Sequence, residues 1–387
     1  MKITYFSHST IPAQAANSMH VVFMSAAMAK IGGVVQLFSW PSQPRARLLN
    51  RDEIIKQYDI SSTICHRHYT YLKIPGFSFI TALIAALKTV ASGQDLIIGR
   101  YLRPCFFAAL FGKPVIFETH QPLSTMPWVD RLMLTSLARS RSCLGIVTIS
   151  APLFKILETE TAHAGDNVAP IIVAPDAANP VSPQNRIDLN PDFNFHVAYI
   201  GSLHQGRGID IIVGLARSIS DCCFHIAGGT ETDVITWQRI THDLPNIVFH
   251  GHLSTRDAEA LRISCACLLA PYQLDTRVPG GMNTSRWMSP MKLFEYMAAG
   301  KAIICSDIPV LHEAVTHEET AIMVSPGNLN EWVAAVRRLR NDEALRKKLG
   351  RAAENKHQMG GSWEDRCRNI FAALGVDLHQ GIIRKRR

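Results

Sequence analysis

The chain has 387 residues, 47% of them apolar and 19% charged, and a net charge of +8. That length suits two domains, and the apolar share supports a large core and excludes wholesale disorder. The longest apolar stretch, over 77–87, is broken by Ser78 and Thr81 and is shorter than the roughly 20 residues a bilayer span needs.

In chain order, KITYFS reads as a strand, followed by a helix over 15–31 and strand GVVQLFS. A helix over 77–91, strand DLIIGR, a short helix over 104–111, strand PVIFET, a helix over 129–140, strand LGIVTIS and a helix over 151–158 come next. Val/Ile-rich strands alternating with helices predict a parallel sheet covered on both faces. Residues 174–194 hold four prolines and no apolar periodicity, and read as a linker. The alternation then restarts with HVAYIGS, CFHIAGG, NIVFHG, CACLLAPY, KAIICSD and TAIMVSP as strands. Helices are expected from 209, 233, 255, 290 and, briefly, 309, with three more over 329–339, 343–354 and 363–374. The fold class expected is α/β, with two doubly wound Rossmann-like domains. Their bounds are 1–180 and 181–361, with the helix over 362–376 a candidate to pack back on the first domain and 377–387 a basic tail. Ligands of such sheets bind at the strands' carboxyl ends, which makes the cleft between two such domains the default site.

MKITYFSHST lacks the apolar segment of a signal peptide. The nine cysteines form no CxxC pair, and several lie inside apolar strands, as buried thiols of a reducing cytoplasm do. Cys65-His66-Arg67-His68 is a dense Cys/His cluster without a second ligand pair at zinc spacing, so no metal site is expected. The charge is uneven. Residues 1–180 hold 16 Lys/Arg against 10 Asp/Glu, residues 181–380 hold 20 against 22, and GIIRKRR adds four cations. A basic first half and tail favour an anionic partner, either a phosphorylated substrate or an anionic membrane surface. Nucleic acid is not expected, because no interleaved aromatic and basic motif occurs.

Ser289-Pro-Met-Lys-Leu-Phe-Glu-Tyr-Met-Ala-Ala-Gly300 is the most informative segment. Ser289 suits an N-cap, Pro290 the first helical position and Gly300 the stop. Lys292 then lies in the first turn, where amides and dipole favour an anion, and Glu295 follows one turn later on the same face. A phosphate and a ribose fit that separation; an exposed Lys292–Glu295 ion pair is the plainer reading. In Gly201-Ser-Leu-His-Gln-Gly-Arg-Gly208, glycines let the backbone approach a ligand and Arg207 suits a bidentate diphosphate contact. The glycine spacing is not the dinucleotide fingerprint, which disfavours a nicotinamide enzyme.

With HIAGG (225–229) and IVFHGHL (247–253), these segments resemble the retaining glycosyltransferases of group 1, or family 4. The resemblance covers 197–324, and more loosely VIFETHQP (115–122) and VTISAPL (147–153). It implies two facing domains (the GT-B fold), a nucleotide-sugar donor held mainly by the second and a saccharide or lipid-linked acceptor by the first. Arg207 and Lys292 would then hold the diphosphate and Glu295 the ribose, with Ser202, Gly206, Gly208 and Ser289 around them. Attack from the leaving-group face, with retention, is implied too. His120, after strand PVIFET, matches the family's histidine near the transferring sugar; Glu118 would orient it, or be buried and paired. Arg100 is another strand-end candidate. No cofactor or metal is called for, since the cations absorb the leaving group's charge. Two departures stand out: Trp287 occupies the place of the family's second glutamate, and SHSTIPAQAANS lacks the glycine-rich turn after the first strand.

The reading is therefore a cytoplasmic hexosyltransferase of surface-polysaccharide or glycolipid assembly, peripheral at the plasma membrane's inner face. A sugar-nucleotide 2-epimerase and a non-catalytic nucleotide-sugar-binding protein are the alternatives. The loop holding Arg277, Gly280, Gly281 and Arg286 reads either as a mobile flap or as an ordinary surface loop. PWVDRLMLTSLARSR (127–141) reads either as a basic amphipathic helix on acidic lipid or as a half-buried domain helix.

Overall fold

A computed structural model describes the chain except residues 12, 14, 41–50, 62–63, 70–75, 162–167, 183–185, 279–280 and 385–387. Contacts divide it into two units, one of residues 1–176 with 363–387, the other of residues 177–362.

In the first unit, strands β1 (Lys2–Ser7), β2 (Val34–Ser39), β3 (Cys65–His68), β4 (Leu96–Gly99), β5 (Val115–Thr119), β6 (Cys143–Thr148) and β7 (Ile171–Val173) form a parallel sheet. Its order is β3-β2-β1-β4-β5-β6-β7, so the strand order reverses between β1 and β4. The connecting helices are α1 (Ala16–Lys30), α2 (Arg51–Tyr58), α3 (Phe77–Ala91), α4 (Leu102–Leu110), α5 (Trp128–Arg139) and α6 (Ala151–Thr161). The central strands β1, β4, β5 and β6 are almost continuously buried, as strands covered on both faces must be.

In the second unit, β8 (Phe195–Ile200), β9 (Cys222–Ala227), β10 (Ile247–Gly251), β11 (Cys267–Ala270), β12 (Ala302–Ser306) and β13 (Ile322–Val324) form a parallel sheet of order β10-β9-β8-β11-β12-β13. Its helices are α7 (Ile209–Ser218), α8 (Glu231–Ile240), α9 (Thr255–Ser264), α10 (Met291–Ala298), α11 (Leu329–Asn341) and α12 (Glu343–Gln358). Side chains alternate between two cores: Val197, Tyr199, Phe224 and Ile226 on one face, and Ala198, Ala227, Leu268 and Tyr296 on the other. The reversal between β8 and β11 is the position where doubly wound sheets bind ligands.

The chain then returns to the first unit as α13 (Trp363–Ala373), which packs on α1, and as a hairpin of β14 (Val376–Asp377) and β15 (Ile382–Ile383). Part of the expected free tail is thus folded, while 385–387 lie outside the described residues. The alternation expected from sequence lacked α2, β3 and β7. Among the described side chains of α2 only Ile54 and Tyr58 are buried, β3 is a polar edge strand, and β7 has three residues. One expected cap is also displaced. α10 starts at Met291 with Pro290 rather than Ser289 at the N-cap, which puts Lys292 at the second helical position. Gly300 ends the helix in the left-handed region, at φ +64°. No described helix is long and apolar enough to cross a membrane.

Candidate functional site

In the second unit, the turn after β8 is shaped by close backbone approaches. A Cβ at Gly208 would lie 1.9 Å from the Pro271 carbonyl oxygen, and both Gly206 and Gly208 have positive φ. The Gly206 carbonyl accepts from the Gln273 amide at 2.9 Å, tying this turn to the one after β11. The Ile200 amide donates to Tyr296 Oη at 2.9 Å, which fixes α10 to the end of β8.

These contacts bring Lys292 against Gly201, where an added Cβ would lie 2.6 Å from Nζ. The Lys292 ammonium sits 3.7 Å from the Tyr199 ring centre and 5.0 Å from that of Tyr272. Arg207 lies over the same Tyr272 ring at 5.4 Å, and its Nε is buried with no hydrogen-bond partner among the described residues. Lys292 is 9% exposed. Burial, and then the Arg207 charge, hold its pKa well below the usual lysine range, with Glu295 opposing. Two cations facing one ring, one of them buried, are a site that an anion relieves.

The exposed Lys292–Glu295 pair weighed from sequence does not form. Glu295 Oε2 accepts from Arg262 Nη1 at 3.1 Å, and Arg262 is itself buried. Ser202 lies beside this group, its carbonyl accepting from Tyr199 Oη at 2.6 Å. Ser289 is half-buried just ahead of α10, and Trp287 is buried. The loop carrying Arg277 is pinned: Arg277 pairs with Asp275 at 3.0 Å, Thr276 and Ser285 amides donate to Asn283 Oδ1, and Gly280 lies outside the described residues.

The first unit holds a second cluster, near the carboxyl end of β5. Glu118 is 2% exposed and accepts from His120 Nε2 at 2.6 Å and from Arg366 Nη2 at 2.9 Å. His20 from α1 lies 2.8 Å from Glu118 through Nε2 and 2.8 Å from Asp176 through Nδ1. Burial pushes the Glu118 carboxyl up, but Arg366, His20 and the two histidine hydrogen bonds together hold it well below its usual range. Burial and then Arg100 push His120 down, so its imidazole is neutral. With Nε2–H given to Glu118, its Nδ1 carries the lone pair. His120 and Arg100, whose Nε lies 3.9 Å from Glu118, line a pocket of about 470 Å³ with Tyr101, Arg103 and Asp130. His20, Asp176, Arg366, Arg262, Tyr199 and Tyr272 carried no signal in the sequence beyond their residue type.

Residues 194–342 match the family model described as glycosyl transferases group 1. Among curated proteins, glycogen synthase of Mycobacterium tuberculosis is 29% identical over 174 residues, 43% of this chain and 39% of the relative's length. Sucrose-phosphate synthase of Thermosynechococcus elongatus superposes with a TM-score of 0.67 at 16% identity, covering 96% of this chain and 99% of that one. HepE of Anabaena, in complex with UDP and glucose, gives 0.67 at 16%, covering 97% and 99%. A glycosyltransferase of Rickettsia africae gives 0.69 at 13%, covering 96% and 97%. At these identities the structures establish the fold: two parallel-sheet Rossmann-like domains, as in GT-B glycosyltransferases.

Proposed function

We propose that the chain is a GT-B glycosyltransferase that moves a hexose from a nucleotide-sugar donor to a saccharide or lipid-linked acceptor, with retention. The observation that carries this reading is the convergence of Lys292 and Arg207 on Tyr272 at the strand-order reversal of the matched domain. Cleavage of the anomeric bond loads negative charge on the departing diphosphate. Lys292, Arg207 and the free amides at the start of α10 oppose that charge, without a metal being required. Glu295, with one oxygen anchored by Arg262, presents its carboxylate to the ribose hydroxyls. Ser202, Gly206, Gly208 and Ser289 shape the backbone around the diphosphate.

On the acceptor side, neutral His120 offers its Nδ1 lone pair to a sugar hydroxyl, and Arg100 supplies a cation beside it. Exposed Trp128 and Leu132 on α5 and the basic first half support action at the inner face of an anionic membrane, in polysaccharide or glycolipid assembly.

A thermal-shift and calorimetric panel of nucleoside diphosphates and nucleotide sugars tests the reading, starting with UDP and UDP-glucose, which the HepE structures hold. Stabilisation by one nucleotide series, lost in Lys292→Met, is expected. No response to any of them would overturn the donor site.

A further inference from the structure

Three histidines stack across the sheet of the second unit, away from the residues assigned to the donor. His196 Nδ1 lies 2.9 Å from His225 Nε2, and His225 Nδ1 lies 3.0 Å from His250 Nε2. The rings of each neighbouring pair are 5.2 Å apart. Parallel pairing sets His196 opposite Cys223, and Ala198 opposite His225. Residues 196 and 198, and likewise 223 and 225, share one face of the sheet. Cys223 Sγ and one nitrogen from each of His196 and His225 lie within 4.8 Å of one another. Cys223 and His225 are buried and His196 is half-buried, so the cluster has an open side.

The geometry points to a site for a borderline-soft divalent cation, of which Zn²⁺ is the type, held by Cys223, His196 and His225 with a fourth position open to water. Thiolate and imidazole ligands select such ions over Mg²⁺ or Ca²⁺, which take oxygen ligands. The outer contacts already suit the role. His196 Nε2 lies 3.0 Å from the Phe193 carbonyl, which only accepts, so Nε2 carries the proton and Nδ1 the lone pair. His225 Nε2–H therefore donates to His196, and His250 Nε2–H donates to His225.

A cation entering between His196 Nδ1 and His225 Nε2 replaces the proton shared there. His225 moves its hydrogen to Nδ1 and donates it to His250 Nε2, and His250 moves its own to Nδ1. All three imidazoles stay neutral, and the two ligand nitrogens part by a few tenths of an ångström, to about 3.3 Å for a tetrahedral ion. The Cys223 thiol loses one proton to solvent as the metal–sulfur bond forms. Burial and the neighbouring Cys222 push that thiol up to about 11, so binding strengthens as pH rises.

His196 and Cys223 sit near the amino ends of β8 and β9, while Gly201 follows the carboxyl end of β8, roughly 16 Å along the strand. The ion would thus staple two central strands without touching the donor, and its test is independent of the transferase reading.

The test titrates chelator-stripped full-length protein with Co²⁺. One equivalent should bind and give thiolate-to-cobalt charge-transfer absorption, displaced by Zn²⁺, with one proton released in calorimetry across buffers of different ionisation enthalpy. Cys223→Ser should abolish the charge-transfer band, and His196→Gln, at a half-buried position, should weaken binding by about tenfold or more. Circular dichroism of both metal-free variants checks that they fold, and Zn²⁺ should raise Tm in wild type but not in Cys223→Ser. No charge-transfer band in wild type would overturn the site. So would a band that survives Cys223→Ser and disappears in Cys265→Ser, the neighbouring thiol.

Discussion

Lys292 Nζ lies 3.7 Å from the centre of the Tyr199 ring, in space that exists because residue 201 is glycine. An ammonium in that position costs stability in the free protein and is relieved by a bound anion. Lys292→Met should lower kcat/KM by about 10²–10³-fold, or about 2–4 kcal/mol of transition-state stabilisation. The same change should leave the Tm of the free protein unchanged or raise it. A diphosphate should also raise the depressed Lys292 pKa, so binding takes up a proton at alkaline pH. Calorimetry in buffers of different ionisation enthalpy should show that uptake in wild type and not in Lys292→Met. Gly201→Ala should reproduce part of the activity loss by displacing Nζ.

Glu295 and Arg262 separate a binding effect from a folding effect. Glu295→Gln should raise the donor KM more than it lowers kcat, because a ribose is remote from the breaking bond. Arg262→Met should instead destabilise the fold by about 1–3 kcal/mol, since it strips a charged hydrogen bond from a largely buried carboxylate. Steady-state kinetics paired with urea unfolding distinguish the two. An unchanged KM in Glu295→Gln would move the ribose contact elsewhere.

The Glu118–Arg366 pair makes the first unit acid-sensitive. The folded-state pKa of Glu118 is depressed, so its contribution to stability is fully present above the unfolded value near 4.5 and is lost as pH falls below it. Glu118→Gln should flatten the acid limb of the stability curve. Arg366→Met should cost about 3–5 kcal/mol by leaving a buried carboxylate short of its cation, and adding Glu118→Gln should recover part of that loss. Urea unfolding from pH 7 to pH 3 measures each effect.

Much of this architecture is legible from apolar periodicity. Both sheets announce themselves because their central strands are buried on both faces and therefore read as short, largely apolar runs between helical stretches. Lys292 and Arg207 are legible for a local reason, since helix starts and glycine turns are short-range features. The ring between them is not, because Tyr272 reaches it through the pairing of Gln273 with Gly206. Arg366 lies 248 residues from Glu118, and an arginine in an amphipathic helix says nothing of the carboxylate it will meet. The histidine ladder is invisible for the same reason. Cys223 and His225 share a strand face, but His196 joins them only through strand register, and the spacing fits no metal motif.

On the proposed reading Lys292, Arg207 and the α10 amides oppose the leaving group's charge, so turnover should survive exhaustive EDTA treatment. If the cysteine–histidine site is loaded as isolated, the same treatment should lower Tm while sparing kcat. Loss of turnover restored by Mg²⁺ or Mn²⁺ would place a metal in the transfer step and overturn the cation-only account.

One helical layer of the first unit exposes apolar side chains. Helices α3, α4 and α5 pack side by side, and each carries exposed apolar side chains on or just beyond its end: Ile80 and Ile84 on α3, Phe111 after α4, Trp128 and Leu132 on α5. Trp128 is 72% exposed and Leu132, one turn on, 62%, with Arg131 and Arg139 exposed on the same helix. The buried face of α5, Met133, Leu134, Leu137 and Ala138, already satisfies the domain core, so Trp128 and Leu132 are surplus to folding. Apolar insertion and basic charge act together at an anionic bilayer, where each cation near the surface adds about 1 kcal/mol within a Debye length. The protein should co-sediment with phosphatidylglycerol vesicles and release in high salt. Trp128→Ala with Leu132→Ala should weaken binding at constant charge. Replacing Arg384, Lys385, Arg386 and Arg387 by Gln should weaken it at constant apolar surface; truncation is the poorer test, because it removes β15 from its hairpin. Equal binding to neutral and anionic vesicles, or none, would leave the basic first half to a phosphorylated acceptor alone.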